Sequence, residues 1–208
     1  MIRFSAISFM LMLCALPVFA GFAEGEAAFI AKDYATAMRE FRPLADQGNA
    51  DAQYRLGKMY ASGKGVPSDA KEASKWYRLA AEQGNADAQY WVGLMYEYGG
   101  GGMPKSLKEA IKWYHLAAEQ GNVDAQNKLG INYTFGNGVP QNFKEAVKWY
   151  RLAADQGDAN AQYWVGLMYE KGRGGVPKNL KEAVKWYRLA AEQGDVESQT
   201  KLKALKKP

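Results

Sequence analysis

Lys181-Glu-Ala-Val-Lys-Trp-Tyr-Arg-Leu-Ala-Ala-Glu-Gln-Gly194 decides the fold of this chain, because the segment is written four times. The other copies are Lys71 to Gly84, Lys108 to Gly121 and Lys144 to Gly157. Each has Glu second, Ala third, Trp-Tyr sixth and seventh, and Gly last. A return every 36 or 37 residues marks a solenoid, in which each repeat buries its apolar face only against its neighbours.

Within the first copy, Ala70, Ala73, Trp76, Tyr77, Ala80 and Ala81 fall on one helical arc, and Lys71, Lys75, Arg78 and Glu82 take the other face. This is helix B of the repeat. Asp69, Ser106, Asn142 and Asn179 precede its four copies, each three residues before a glutamate (Glu72, Glu109, Glu145, Glu182). That spacing predicts a capping box at every start. Upstream, Ala52, Leu56, Met59 and Tyr60 form the apolar stripe of a helix A. Gly57 sits inside it, as do Gly93, Gly130 and Gly166 in the later repeats. A mid-helix glycine costs about 1 kcal/mol relative to alanine. Its recurrence predicts close approach of a neighbouring helix, with the Trp-Tyr pair as the group that approaches. Gly63-Lys-Gly-Val-Pro67 and its counterparts, Gly99 to Pro104, Gly136 to Pro140 and Gly172 to Pro177, connect A to B.

Ala-x-x-x-Leu-Gly-x-x-Tyr in helix A, Gly-x-Gly-Val-Pro in the connector and Ala-x-x-Trp-Tyr-x-x-Ala-Ala in helix B together resemble the Sel-one-like repeat of the tetratricopeptide-like superfamily. The resemblance runs from about Ala50 to Gly194. The expected fold is all-α, a right-handed α-solenoid of helix–loop–helix repeats at 49–84, 85–121, 122–157 and 158–194. Residues 21–48 read as an N-terminal capping hairpin in which Glu40 replaces the tryptophan and Pro43 interrupts helix B. Residues 195–208 read as a closing helix, Val196 to Leu205, with a basic tail. A second period lies above the first. Repeats two and four share Gln-Tyr-Trp-Val-Gly-Leu-Met-Tyr-Glu (Gln89 to Glu97, Gln162 to Glu170), so the array is a doubled two-repeat block of 73 residues.

Residues 1–20 read as a secretory signal peptide: Arg3, an apolar run, Pro17 and then Val18-Phe19-Ala20 as a cleavage site. The expected location is therefore periplasmic or secreted. Cys14, the one cysteine, leaves with the signal, and no disulfide is expected in the mature chain. The net charge of +5 falls to +4 without Arg3, and Lys201, Lys203, Lys206 and Lys207 account for that remainder. A neutral body with a short basic end does not call for nucleic acid. No other segment is long and apolar enough to span a membrane.

Reactive groups are sparse. His115 is the one histidine, at a position held by arginine in the other repeats, and reads as an outward-facing helix residue. No metal site, cofactor or catalytic residue is expected. The Gly-rich connectors follow helices and lack Gly-Lys-Ser/Thr, so they are turns and not phosphate loops. Ser68-Asp-Ala-Lys71 matches Ser-x-x-Lys without a companion Lys-Thr-Gly. Asn132-Tyr-Thr134 spells a glycosylation sequon inside helix A. Some cysteine-rich secreted members of the family are described as binding or slowly hydrolysing β-lactams. That implies a cell-wall-related enzyme as the rival function. Those proteins have a disulfide in each repeat, which this chain lacks.

The resemblance places helix A along the concave groove. Its positions turned away from the core, or on the flank, read Tyr54, Arg55, Lys58; Tyr90, Trp91, Leu94; Asn127, Lys128, Ile131; and Tyr163, Trp164, Leu167. Aromatic residues beside Leu or Arg are the anchors protein interfaces use. The expected function is an exported, non-enzymatic scaffold for a protein or extended peptide. Trp91 and Trp164 are expected to pack between repeats, and Tyr90, Leu94, Tyr163 and Leu167 to face the groove. Trp76, Trp113, Trp149 and Trp186 are assigned to the core.

Overall fold

The computed structural model describes residues 21–205. The expected signal peptide, with Cys14, and the tail residues Lys206 and Lys207 lie outside the described residues. Among the described residues there are eleven helices and no strand. These are α1 (21–30), α2 (Tyr34–Asp46), α3 (Ala50–Ser62), α4 (Ala70–Glu82), α5 (Ala86–Tyr98), α6 (Leu107–Glu119), α7 (Val123–Phe135), α8 (Phe143–Asp155), α9 (Ala159–Lys171), α10 (Leu180–Glu192) and α11 (Val196–Leu205). The contacts define two compact units. The first holds α1 to α4, the start of α5 and the connector Gly99–Pro104; the second holds Gln89–Tyr98 and the residues from Lys105 onward. In each unit, helices pack on their neighbours in sequence.

The starts of helix B follow from the caps. Asp69, Ser106, Asn142 and Asn179 each accept from the backbone N–H of the glutamate three residues on. The reciprocal half of the expected capping box is replaced. Each cap residue's own N–H donates to the carbonyl of a helix A tyrosine, Tyr60, Tyr96, Tyr133 or Tyr169, at 2.7–3.0 Å. The glutamates, with that donor already taken, turn to the lysine three residues on, closest at Lys112–Glu109 and Lys185–Glu182. Helix A ends on a left-handed glycine at Gly63, Gly136 and Gly172.

The mid-helix glycines are explained by one contact. A methyl group on Gly57 would lie 2.6 Å from the ring of Tyr77, and the same holds for Gly93 with Tyr114, Gly130 with Tyr150 and Gly166 with Tyr187, all under 3 Å. The degenerate first repeat keeps the device, with Gly25 under Phe41. Those four tyrosines and Phe41 are fully buried. The partner of the glycine is thus the tyrosine of the Trp-Tyr pair.

The tryptophans behave differently, and the core assignment needs correction. Trp76 and Trp149 are 3% exposed, but Trp113 and Trp186 are only half-buried. The tyrosine packs on a glycine of its own repeat, which never varies. The tryptophan looks to the preceding repeat: Trp76 joins the cluster of Ala37 and Phe41, and Trp149 that of Ala110 and Tyr114. Its cover therefore depends on its neighbour. Two further expectations shift. Ala70, the first residue of α4, is exposed rather than on the apolar arc. Pro43 does not interrupt α2, which continues to Asp46; the bond it removes is to the carbonyl of Arg39, on an exposed side of the helix.

A buried amide chain joins the repeats and was not foreseen. Nε2 of Gln156 at the end of α8 donates to Oε1 of Gln126 in α7, and Nε2 of Gln126 donates to the Ala118 carbonyl of α6. In the first unit Gln83, Gln53 and the Ala45 carbonyl repeat the arrangement. Gln53, Gln89, Gln126 and Gln162 are all buried, and a buried amide without such partners is destabilising by about 1–3 kcal/mol.

Candidate protein-binding face

Helices α3, α5, α7 and α9 are helix A of the four repeats. In α5 and α9, Tyr90, Trp91, Leu94 and Tyr163, Trp164, Leu167 lie beside core residues such as Val92 and Val165, so both helices are apolar nearly all round. Such a helix needs cover on both sides. All twelve expected groove residues are half-buried: none is fully exposed and none is in the core.

Position relative to the helix A glycine sorts them. Three residues before it stand Tyr54, Tyr90, Asn127 and Tyr163. Each tyrosine ring leans on the buried tyrosine of its own repeat, at 5.9 Å for Tyr54–Tyr77, 6.0 Å for Tyr90–Tyr114 and 5.9 Å for Tyr163–Tyr187. Burial pushes the Tyr90 hydroxyl above its usual range, with Asp124 adding to the effect. One residue after the glycine stand Lys58, Leu94, Ile131 and Leu167. Lys58 Nζ lies 5.5 Å over the Tyr54 ring, while Leu94 and Ile131 pack at the margin of the core.

Two residues before the glycine stand Arg55, Trp91, Lys128 and Trp164, and these alternate in chemistry. Trp164 is stacked on Tyr150 of the preceding repeat at 5.4 Å, with Phe135 edge-on at 5.9 Å. Lys128 reaches back to Glu97 at 3.0 Å, and Tyr114 donates its hydroxyl to the same carboxylate. Arg55 pairs with Glu26 in the same direction. In α11 Lys201 meets Glu170 at 2.9 Å, and Tyr187 donates to Glu170 at 2.7 Å. Burial works to raise the Glu170 carboxyl, but hydrogen bonds from Lys171, Lys201 and Tyr187 overcome it and hold it down to about 2. Arg55, Lys128 and Trp164 are therefore engaged between repeats. Within the second unit the junctions alternate, with an ion pair at Lys128–Glu97, an aromatic stack at Trp164–Tyr150 and an ion pair again at Lys201–Glu170. Glu97 and Glu170 went unremarked in the sequence. Their signal was the alternation Ala61, Glu97, Thr134, Glu170 at one position, in step with the alternation two residues before the glycine.

The face continues onto α11. Tyr163, Val196, Glu197, Thr200, Lys201 and Ala204 line an open groove of about 320 Å³.

His115 is not outward-facing as expected. Its imidazole lies 3.2 Å from the Tyr133 hydroxyl and edge-on to Trp149 at 5.4 Å. Arginines do the same work elsewhere: Arg42 binds the Tyr60 hydroxyl and covers Trp76, and Arg151 binds the Tyr169 hydroxyl and covers Trp186. The residue is a joint between repeats. Ser68 is exposed, its hydroxyl 3.4 Å from the Ala61 carbonyl, and no hydrogen bond joins it to Lys71 among the described residues. Asn132 is buried and donates to the Lys128 carbonyl, so the sequon is not presented. Among the described residues there is no group of three or more His, Cys, Asp or Glu able to hold a metal ion. No described helix is long and apolar enough to cross a membrane.

Stacked helical pairs with a half-covered helix A row define an α-solenoid of the kind typical of protein–protein interaction scaffolds. The chain belongs to the Sel1 repeat family, whose repeats match residues 50–85, 86–122, 123–158 and 159–195. It is similar to a Sel1 repeat protein from Oxalobacter formigenes, with 42% identity over 88% of this chain and 72% of that one and a TM-score of 0.81. It is also similar to c5321, described as a protective antigen in uropathogenic Escherichia coli strains, with 35% identity and a TM-score of 0.82. That match covers 96% of this chain but spans only 43% of the other protein's length. The immunity protein Pa5087 from Pseudomonas aeruginosa shares the fold at 22% identity, 88% and 68% coverage and a TM-score of 0.56. No curated protein matches the chain.

Proposed function

We propose that this chain is an exported, non-enzymatic scaffold that binds another protein, or an extended peptide, along its helix A row. The observation that carries the reading is the doubly apolar character of α5 and α9. Their inner sides are in the core, and on their outer sides Tyr90, Leu94, Tyr163 and Leu167 remain half-buried with room for a partner. Rigid aromatic rings already braced from behind lose little freedom when a partner covers them, which is what an anchor residue requires. Export rests on the apolar N-terminal stretch and its Val-x-Ala site.

Affinity capture from the native envelope tests it, with wild type set against a Tyr90/Leu94/Tyr163/Leu167→Ala variant of equal helicity. The reading requires partners held by the wild type and lost by the variant. Equal capture by both overturns the proposed surface.

A further inference from the structure

Charge is sorted across the repeats. In the second unit the turns from helix B to helix A carry Glu119 and Asp124, then Asp155 and Asp158, then Glu192, Asp195 and Glu197. Residues 119–127, 155–164 and 192–200 contain no lysine or arginine. The opposite ends of the same helices carry Lys105, Lys108, Lys144, Lys178 and Lys181, all exposed and in no salt bridge among the described residues. Acids at that end are neutralised: Glu109 and Glu182 by Lys112 and Lys185, Glu97 and Glu170 by Lys128 and Lys201. Consecutive helices reverse direction, so one edge of this unit is acidic and the other basic. The first unit shows a weaker contrast, with Asp51 and Asp87 at one edge, where Asp46 and Glu82 are paired with Arg42 and Arg78, and Lys64 and Lys71 at the other.

Helix stability explains part of the sorting, because Asp124, Asp158, Asp195 and Glu197 stand at the starts of α7, α9 and α11, where the dipole favours an acid. It does not explain the charges of helix B. In α6, α8 and α10 a lysine stands second, at the positive end of the helix dipole, and an acid stands last, at its negative end. No basic residue lies in the last turn of any of them. Each placement opposes the macrodipole, where matched charges would each contribute about 0.3–1 kcal/mol. The pattern is written into every helix B and works against the helix that carries it.

We propose that the two edges are complementary surfaces through which one copy of this chain associates side by side with another, basic edge against acidic edge. The contact is heterologous, because the two copies offer different surfaces, and it propagates beyond a pair. It uses the helix ends and, apart from Glu197 at the rim of the α11 groove, leaves the helix A row open.

Sedimentation velocity of the purified chain tests this at about 10 mM and about 1 M salt, where the Debye length is about 30 Å and 3 Å. The proposal requires a sedimentation coefficient that rises with protein concentration at low salt and stops rising at high salt. Two charge-reversed variants with unchanged circular dichroism complete the test. Lys105/Lys108/Lys178/Lys181→Glu and Glu119/Asp155/Glu192→Lys should each sediment as monomers, and their equimolar mixture should associate again at low salt. A wild-type chain that stays monomeric at low salt, association that persists at high salt, or a mixture that fails to associate overturns it.

Discussion

The ring of Tyr150 lies so close over Gly130 that a methyl group on the glycine would stand 2.5 Å from Cδ1 and Cε1. The tyrosine is fully buried and has no room to withdraw. Gly130→Ala gains about 1 kcal/mol of helix propensity but overpacks the site, which is destabilising by about 1–3 kcal/mol. The net expectation is a lower melting temperature, by about 2–4 °C per kcal/mol lost in a chain of this size. A variant more stable than wild type would show that the glycine is not held there by the ring.

The two kinds of tryptophan should separate in stability. Trp149 is 3% exposed, and its replacement by alanine is expected to cost about 3–5 kcal/mol. Trp186 is half-buried, so Trp186→Ala should cost clearly less. Urea denaturation of both variants checks the order, and equal losses would contradict it.

How much of this was legible in the sequence depends on whether a residue answers to its own repeat or to the next one. The caps Asp69, Ser106, Asn142 and Asn179 and the helix A glycines were readable because their partners lie a fixed distance along the chain. The half-burial of Trp186 was not, because that ring packs against Ala146 and Tyr150 of the preceding repeat. Gln126 and Gln156 recur as faithfully as the Trp-Tyr pair. A polar residue gives no periodicity of burial, however, so their joint role emerged only from the packing. The alternation of Lys128 and Trp164 was visible as a doubled period. Its meaning, an ion pair at one junction and an aromatic stack at the next, needed the helices side by side.

His115 should give one junction a pH dependence. Burial pushes its imidazole below the ordinary range, with Lys148 acting the same way and Glu119 and Glu145 opposing. In the unfolded chain the group titrates near about 6.5. Below that pH the unfolded state binds the proton more readily, so stability is full above about 6.5 and falls on acidification toward the lower folded value. The Glu170 carboxylate acts in a separate window, its contribution present above the ordinary 4.5 and lost as pH falls toward about 2. Denaturation midpoints compared at about pH 7.5 and 5.5 should drop less in His115→Gln than in wild type. An identical drop in both would remove His115 from the explanation.

Ser198 stands where the four repeats have Ala52, Ala88, Ala125 and Ala161. It is fully buried, and its hydroxyl has no partner among the described residues. A buried unsatisfied hydroxyl is destabilising by about 1–3 kcal/mol, so Ser198→Ala should stabilise the chain by an amount in that range or just below it. A destabilised variant, read by thermal melting, would mean that the hydroxyl has found a partner.

Site-specific photocrosslinking in the native envelope tests the partner-binding face most directly. A photoreactive phenylalanine replaces Tyr90 or Tyr163 on the helix A row, and Leu152 or Leu189 on the exposed side of helix B serves as the control. The account predicts discrete adducts with another protein from Tyr90 and Tyr163 and none from Leu152 and Leu189. Adducts from the helix B positions alone, or from all four equally, would contradict it.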